Sequence, residues 1–226
     1  MKNKRELTMV GEDYLRAIYS AAEWDEDGVG VTDLAHMMGV VPSTASENVR
    51  RLREAGLVDH QPYQRVRLTE AGRAEAVRMV RRHRILETFL HRHLGFSWDE
   101  VHEEAEELEH AVSDRFIDRI DKVLGFPALD PHGDPIPAAD GSLTEVEPIS
   151  LEAAEVGQKR QIARIRDAEP AVLRYFEARG IVPSAWITVR ERIEGTGIVS
   201  VEVDGKELDL AEHLAASIRV IRRDAN

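Results

Sequence analysis

The chain has 226 residues, 42% of them hydrophobic and 32% charged, with a formal net charge of −12 and no cysteine. That length supports one large or two ordinary domains with a real core. The composition excludes disulfides, zinc–thiolate sites and cysteine nucleophiles, and no apolar run reaches signal-peptide length or the ~20 residues of a membrane span. A cytoplasmic protein with no membrane segment is expected, and its acidity disfavours nucleic acid unless a local basic patch overrules the average.

Residues 9–23, "MVGEDYLRAIYSAAE", place Tyr14, Leu15, Ile18, Tyr19 and Ala22 at helical spacing. The acids and glycines of "WDEDGVG" break the chain. "VTDLAHMMGV" predicts a short helix with Leu34, Ala35 and Met38 inward and Gly39 as its stop. "VPSTASENVRRLREAGLV" predicts a second, amphipathic through Val49 and Leu52 and ended by Gly56. "VDHQPYQRVRLTEAG" reads as a strand, a Pro-Tyr-Gln turn and the alternating "RVRLT". A long helix starts near Thr69 and runs through Leu94. Two more follow, one after "GFSW" and one over "SDRFIDRIDKVLG". Four prolines and two glycines between Pro127 and Gly141 mark a turn-rich connection. Beyond residue 150, "QIARI", "WITVRERI", "GIVSVEVDG" and "IRVIRR" read as short strands, with "PAVLRYFEARG" as a helix after the first. The expected fold is α+β, mainly α. A winged helix-turn-helix domain covers 1–74, a helical domain 75–140, a linker 141–150 and a small β-barrel 151–226.

Helix, glycine-containing turn, helix and hairpin occur in that order within residues 32–68. The second helix of such a unit enters a major groove, and its N-terminal side chains reach base edges. Here those are Ser43, Thr44, Ser46, Glu47 and Asn48. Arg50, Arg51 and Arg53 follow as phosphate clamps, and the wing adds Gln64, Arg65 and Arg67. The alternative is that Ser43 caps the helix and the arginines are a solvated face. Glu47 is the awkward member: it repels phosphate, yet accepts from a cytosine amino group.

The stretch "HEEAEELEH", residues 102–110, poses the second question. Residues three and four apart share a helix face, which groups His102, Glu106, Glu109 and His110 beside an apolar side of Ala105, Leu108, Ala111 and Val112. His83 and Glu87 repeat the four-residue spacing on the preceding helix, and Asp13 or Glu12 offers a carboxylate on the first. Each pair alone reads most simply as a solvated face; three such helices beside a DNA-binding unit point to metal. His60, His91, His93, His132 and His213 have no partners by spacing and read as surface or capping residues, Trp98 and Trp186 as packing.

The first 140 residues resemble the diphtheria toxin repressor family of metal-dependent regulators, especially its actinobacterial manganese-dependent members. The resembling runs are "EDYLRAIY", "STASENVRRLREAGLVDH", "MVRRHRILETFL", "WDEVHEEAEELEHAVSDR" and "DPHGDPIPAADG", with a looser match to an SH3-like C-terminal domain. The resemblance implies that the helical domain dimerises and binds metal. It implies an activating site of Asp13, Glu106, Glu109 and His110, and an ancillary site of His83, Glu87 and His102 helped by the C-terminal domain. There, Arg164 stands where the family usually has a glutamate ligand, and Asp167 where it has a glutamine. Iron-responsive members carry methionine and cysteine where Asp13 and Glu106 stand. Carboxylates make the site harder, so Mn²⁺ is the expected ion, Fe²⁺ the second choice, with other divalent transition metals substituting in vitro.

The resemblance thus implies a metal-dependent repressor of metal-homeostasis genes, acting as a homodimer on palindromic operator DNA. The apolar positions Ile85, Leu86, Phe89, Leu90, Phe116 and Ile120 exceed the needs of one small winged domain. Two rivals stand beside this reading. An iron-dependent regulator of the same family differs in the ion, and a winged-helix regulator of an organic ligand would make the acidic stripes structural. A di-iron enzyme needs two Glu-x-x-His units. The chain has one, Glu107 to His110, so no enzyme is expected.

Overall fold

The computed structural model describes residues 7–25, 27–61, 63–143 and 148–222, and the chain divides into two compact units. The first takes Met1–His83 with Pro137–Ser142, the second Arg84–Ile136 with Leu143–Asn226. Helix α1 (Met9–Ala22) starts where the Thr8 hydroxyl accepts from Gly11 N–H, and it buries Tyr14, Leu15, Ile18 and Tyr19. Helices α2 (Val31–Met37) and α3 (Pro42–Glu54) follow, the latter burying Ala45, Val49 and Leu52. The wing pairs β1 (Val58–Asp59) with β2 (Arg67–Leu68) antiparallel, and Val29 bridges Val66 beside it. Only glycine fits at Gly28: φ is +92° and a Cβ would lie 2.6 Å from the Val66 carbonyl oxygen. Helix α4 (Glu70–Phe89) leaves the first unit and continues into the second. Its last expected turn, Leu90–Leu94, is a π-turn closed by left-handed Gly95.

In the second unit α5 (Val101–Glu109) and α6 (Asp114–Leu124) pack with the end of α4 around Ile85, Leu86, Leu90, Val101, Ala105, Ile117 and Ile120. Ile85, Leu86, Leu90 and Ile120 therefore fill this unit's own core; of the surplus apolar positions only Phe116, 49% exposed, stands out on the surface. The reason is that α5 and α6 need an apolar partner of their own, which α4 supplies. The remaining chain forms one antiparallel sheet: β3 (Ile149–Ser150), β4 (Lys159–Ile165), β5 (Trp186–Ile193), β6 (Ile198–Val203), β7 (Lys206–Ala211) and β8 (Ile218–Ile221), in the order β3-β8-β4-β5-β6-β7. Register shifts at Ile162/Arg164 and Val189/Glu191 bend it. Helices α7 (Pro170–Glu177) and α8 (Glu212–Ala216) belong to the same domain, whose core includes Leu173, Phe176, Val201, Leu210 and Val220. Strands β3 and β7 and helix α8 are absent from the expected elements. β7 is an edge strand whose run "KELDLA" buries only Leu210 fully, so its charge hides its period. Among the described residues no helix is long and apolar enough to cross a membrane.

Candidate DNA-reading head and metal centre

On α3 the chain enters through Val41 at the N-cap and Pro42 in the first turn, with no side-chain cap. Ser43 is therefore not a cap, which removes the structural alternative for it. Ser43, Thr44 and Ser46 are exposed, and Asn48 donates Nδ2–H to the Thr44 carbonyl at 3.1 Å. Glu47 turns along the helix rather than away from it. It accepts from Arg50 Nη2 at 2.8 Å and Nε at 2.9 Å, and from Arg51 Nε at 2.9 Å. Arg50 also pairs with Glu54. The two guanidinium groups hold the Glu47 carboxyl down at about 2. In the wing, Arg65 Nη1 meets Asp25 at 2.5 Å and the Gly28 carbonyl at 2.9 Å, while Arg67 bonds Asp27. An open cleft of about 700 Å³ between wing and α3 is lined by Arg53, His60, Tyr63, Gln64, Arg65 and Arg67. Tyr63, in the left-handed region at φ 66°, stands fully exposed.

Glu47 thus restrains two cations at the exposed face of α3. Glu47→Gln is expected to raise affinity for random-sequence DNA and to steepen the slope of log K against log salt by about one, because a freed guanidinium adds about one phosphate contact. Anisotropy titrations at several salt concentrations measure this. An unchanged slope would mean the arginines do not reach phosphate.

Helix α5 presents its acidic stripe unevenly. Glu109 is buried, only 1% exposed, Glu106 lies on the surface, and His102 and His110 are half-buried. His110 is the residue that ends the helix, with Nε2 3.6 Å from Glu109 Oε1. His102 Nδ1 lies 3.2 Å from Glu87 Oε1 and 3.5 Å from Asp167 Oδ2, and its Nε2 lies 3.5 Å from Glu106. Burial alone would lower the His102 pKa, but the Glu106 and Glu87 hydrogen bonds outweigh it and hold it well above the ordinary value. His83 precedes Glu87 by one turn of α4, and both are buried. Asp13 is half-buried on α1 in the other unit.

His132 corrects the sequence reading. Expected at the surface, it is fully buried, because the "DPHGDP" loop folds inward and stacks its ring on Trp98 at 5.7 Å between centroids. Its Nε2 sits 2.7 Å from the Trp98 carbonyl oxygen, so this nitrogen carries the proton and donates. Nδ1 is buried with no hydrogen-bond partner. Glu87, His132 and Asp167 each offer a ligand atom within 4.8 Å of the others. Burial would lower the His132 pKa, but the Glu87, Asp167 and Asp130 carboxylates hold it at about 9.

These residues fit a hard divalent cation. An imidazole oriented by a carbonyl on one nitrogen, with the other buried and unpartnered, is how a ligating histidine is held. Two carboxylates complete a sulfur-free donor set. Arg164, which stands where the resemblance implies a glutamate ligand in other members of the family, bonds Asp134 at 2.5 Å. Spacing along the chain carried no signal for His132, since its neighbours come from α4 and from the segment after β4.

Three family descriptions tile the chain. Residues 6–66 match the iron-dependent repressor N-terminal DNA-binding domain, 69–138 the iron-dependent repressor metal-binding and dimerisation domain, and 149–222 the FeoA domain. The iron-dependent repressor IdeR of Mycobacterium tuberculosis is 30% identical over 95% of this chain and 98% of its own. The diphtheria toxin repressor of Corynebacterium efficiens is 30% identical over 97% and 98%. A solved manganese-dependent transcriptional repressor in complex with manganese is 50% identical, covers 93% of this chain and 99% of its own, and superposes with a TM-score of 0.88.

The chain therefore belongs to the iron-dependent, or diphtheria toxin, repressor family: metal-dependent DNA-binding transcriptional repressors, not enzymes. With that membership come an N-terminal domain for operator DNA and a central domain for dimerisation.

Proposed function

We infer that this protein is a Mn²⁺-dependent repressor of metal-homeostasis genes, acting in the cytoplasm as a homodimer on palindromic operators. The observation that carries the choice of ion is the donor chemistry. Glu87, His132 and Asp167 offer oxygen and imidazole only, as do Asp13, Glu106, Glu109 and His110. Mn²⁺ ranks lowest in the Irving–Williams order and loses most contests when soft ligands are present. Fe²⁺ is the second candidate, because the IdeR relatives are iron-dependent and share the family's scaffold.

The activating ion takes Asp13, Glu106, Glu109 and His110, as the family resemblance implies. The ancillary ion takes Glu87 and His102 with His83 in the set the resemblance implies, or Glu87 with His132 and Asp167; the unpartnered Nδ1 of His132 favours the second. The bound cation offsets the mutual repulsion of clustered carboxylates, which otherwise disfavours the closed arrangement. Ser43, Thr44, Ser46, Glu47 and Asn48 read bases, while Arg50, Arg51, Gln64 and Arg65 hold the backbone. Metal and DNA affinity then rise together, and the coupling is reciprocal. Domain limits of 1–74, 75–140 and 151–226 with a linker at 141–150 fit this division of labour. Phe116, Val123 and Phe126, all exposed, are an apolar surface suited to a second copy.

The test is anisotropy of an operator fragment from upstream of the protein's own gene, with metal-stripped protein given Mn²⁺, anaerobic Fe²⁺ or Zn²⁺, and Glu106→Ala as control. Mn²⁺ is expected to switch on tight binding in the wild type alone. Equal binding without metal would sink the reading and move the search to an organic effector.

A further inference from the structure

The loop that carries His132 is held from two sides by groups that are not ligands. Inside the loop, Asp130 Oδ1 accepts from the backbone N–H groups of His132 and Asp134, both at 2.9 Å. On the helical side, Arg84 of α4 reaches Asp134 with Nη2 at 3.2 Å and donates Nη1–H to the Pro135 carbonyl at 2.8 Å. On the sheet side, Arg164 of β4 donates Nε–H to the other oxygen of the same Asp134 carboxylate. One backbone bond joins them directly, Ile165 N–H to the His132 carbonyl at 2.9 Å. Arg84, Arg164, Asp130 and Asp134 are all below 10% exposed.

A buried ion pair that loses one partner leaves an uncompensated charge, which is far costlier than losing a surface pair. Here one carboxylate serves two buried guanidinium groups, each on a different part of the unit. Every bond of the arrangement closes through protein atoms. The ring of His132 is carried by this loop, and the Asp167 carboxylate follows the end of β4, three residues beyond Arg164.

We propose that Arg84, Asp134 and Arg164 form a metal-independent clasp that docks the Asp130–Pro135 loop between α4 and β4, so that His132 and Asp167 face Glu87 before an ion arrives. Arg84 and Arg164 are positioning residues, and the proposal rests on reading Glu87, His132 and Asp167 as a metal centre. A pre-docked centre binds its ion without first ordering the loop, so its affinity depends on residues that never touch the metal.

Hydrogen exchange by mass spectrometry on the full chain, metal-stripped and Mn²⁺-loaded, tests this, alongside calorimetric Mn²⁺ titration. In the wild type, peptides covering 128–136 and 160–167 are expected to be protected in chelator nearly as well as with Mn²⁺. In Arg164→Met the same amides are expected to exchange about 10-fold faster without metal, protection becomes Mn²⁺-dependent, and Mn²⁺ affinity falls about 10-fold. Arg164→Lys, which keeps the charge, recovers part of both, and it carries the test if the methionine variant does not fold. Rapid exchange of the wild-type loop until Mn²⁺ is added would overturn the clasp, as would Arg164 variants indistinguishable from wild type. His132→Ala separates the two ideas. If it leaves Mn²⁺ binding unchanged, the metal-centre reading fails, while exchange in the metal-free wild type still decides the clasp.

Discussion

Glu109→Gln is expected to lower Mn²⁺-activated operator affinity on the order of 100-fold, about 2.7 kcal/mol, while leaving the weak metal-free affinity unchanged. The size follows from where the carboxylate sits. Glu109 closes α5 at 1% exposure, on the helix whose Val101 and Ala105 form the core of the unit. Burying an anion costs several kcal/mol, and a divalent cation held by Glu109 and its neighbour His110, whose Nε2 lies 3.6 Å from Glu109 Oε1, would offset that cost. Glutamine keeps the shape and one carbonyl donor atom but removes the charge the ion needs. The rise in melting temperature that saturating Mn²⁺ gives the wild type is expected to shrink in parallel, since stabilisation by a ligand tracks its affinity for the folded state. Anisotropy and thermal melts on the same preparations measure both. Full Mn²⁺ activation of Glu109→Gln would remove this residue from the ligand set. Loss of activation with an undiminished melting shift would show that the ion still binds but no longer acts on the reading head.

How much of this was legible in the sequence depends on the range over which each feature is encoded. The stripe His102, Glu106, Glu109 is written in steps of three and four, so helical geometry alone marked it as a candidate, although the fold buries Glu109 and leaves Glu106 on the surface. The reading head was legible for the same reason: α2, the Gly39 turn, α3 and the hairpin are consecutive local signals. The capping alternative for Ser43 could not be removed from sequence, because a serine before an apolar-periodic run also looks like a cap; in the fold Pro42 occupies the first turn and the cap falls at Val41. His132 was illegible. It lies in a proline- and glycine-rich loop, and its neighbours Glu87, Trp98 and Asp167 are 45, 34 and 35 residues away. Spacing rules describe partners on one element, and no periodicity reports a partner that three separate segments deliver. Arg164 shows the same limit from the other side. Its position suggested a lost ligand, and only the fold gave it Asp134 as a partner.

The largest structural effect is expected at Gly133. This residue sits at φ 88°, and a Cβ placed on it would lie 2.0 Å from the carbonyl oxygen of Ala163 and 3.1 Å from the Cα of Arg164. Both obstacles are backbone of β4, so no rotamer change relieves them. Gly133→Val adds the strain of a β-branched residue in the left-handed region to that overlap. The loop has to leave the strand, taking with it the Ile165 N–H to His132 bond and leaving Asp134 and Arg164 buried without each other. A destabilisation of roughly 3 kcal/mol or more is expected from strain and a broken buried network together. Chemical denaturation followed by circular dichroism measures it. Where the variant still folds, Mn²⁺ affinity at Glu87 is expected to fall with it, because His132 moves with the loop, whereas the α3 surface contributed by the other unit is expected to retain its metal-independent affinity for DNA. A Gly133→Val protein as stable as the wild type would mean that the loop does not rest on β4, and the placement of His132 beside Glu87 would fall with it.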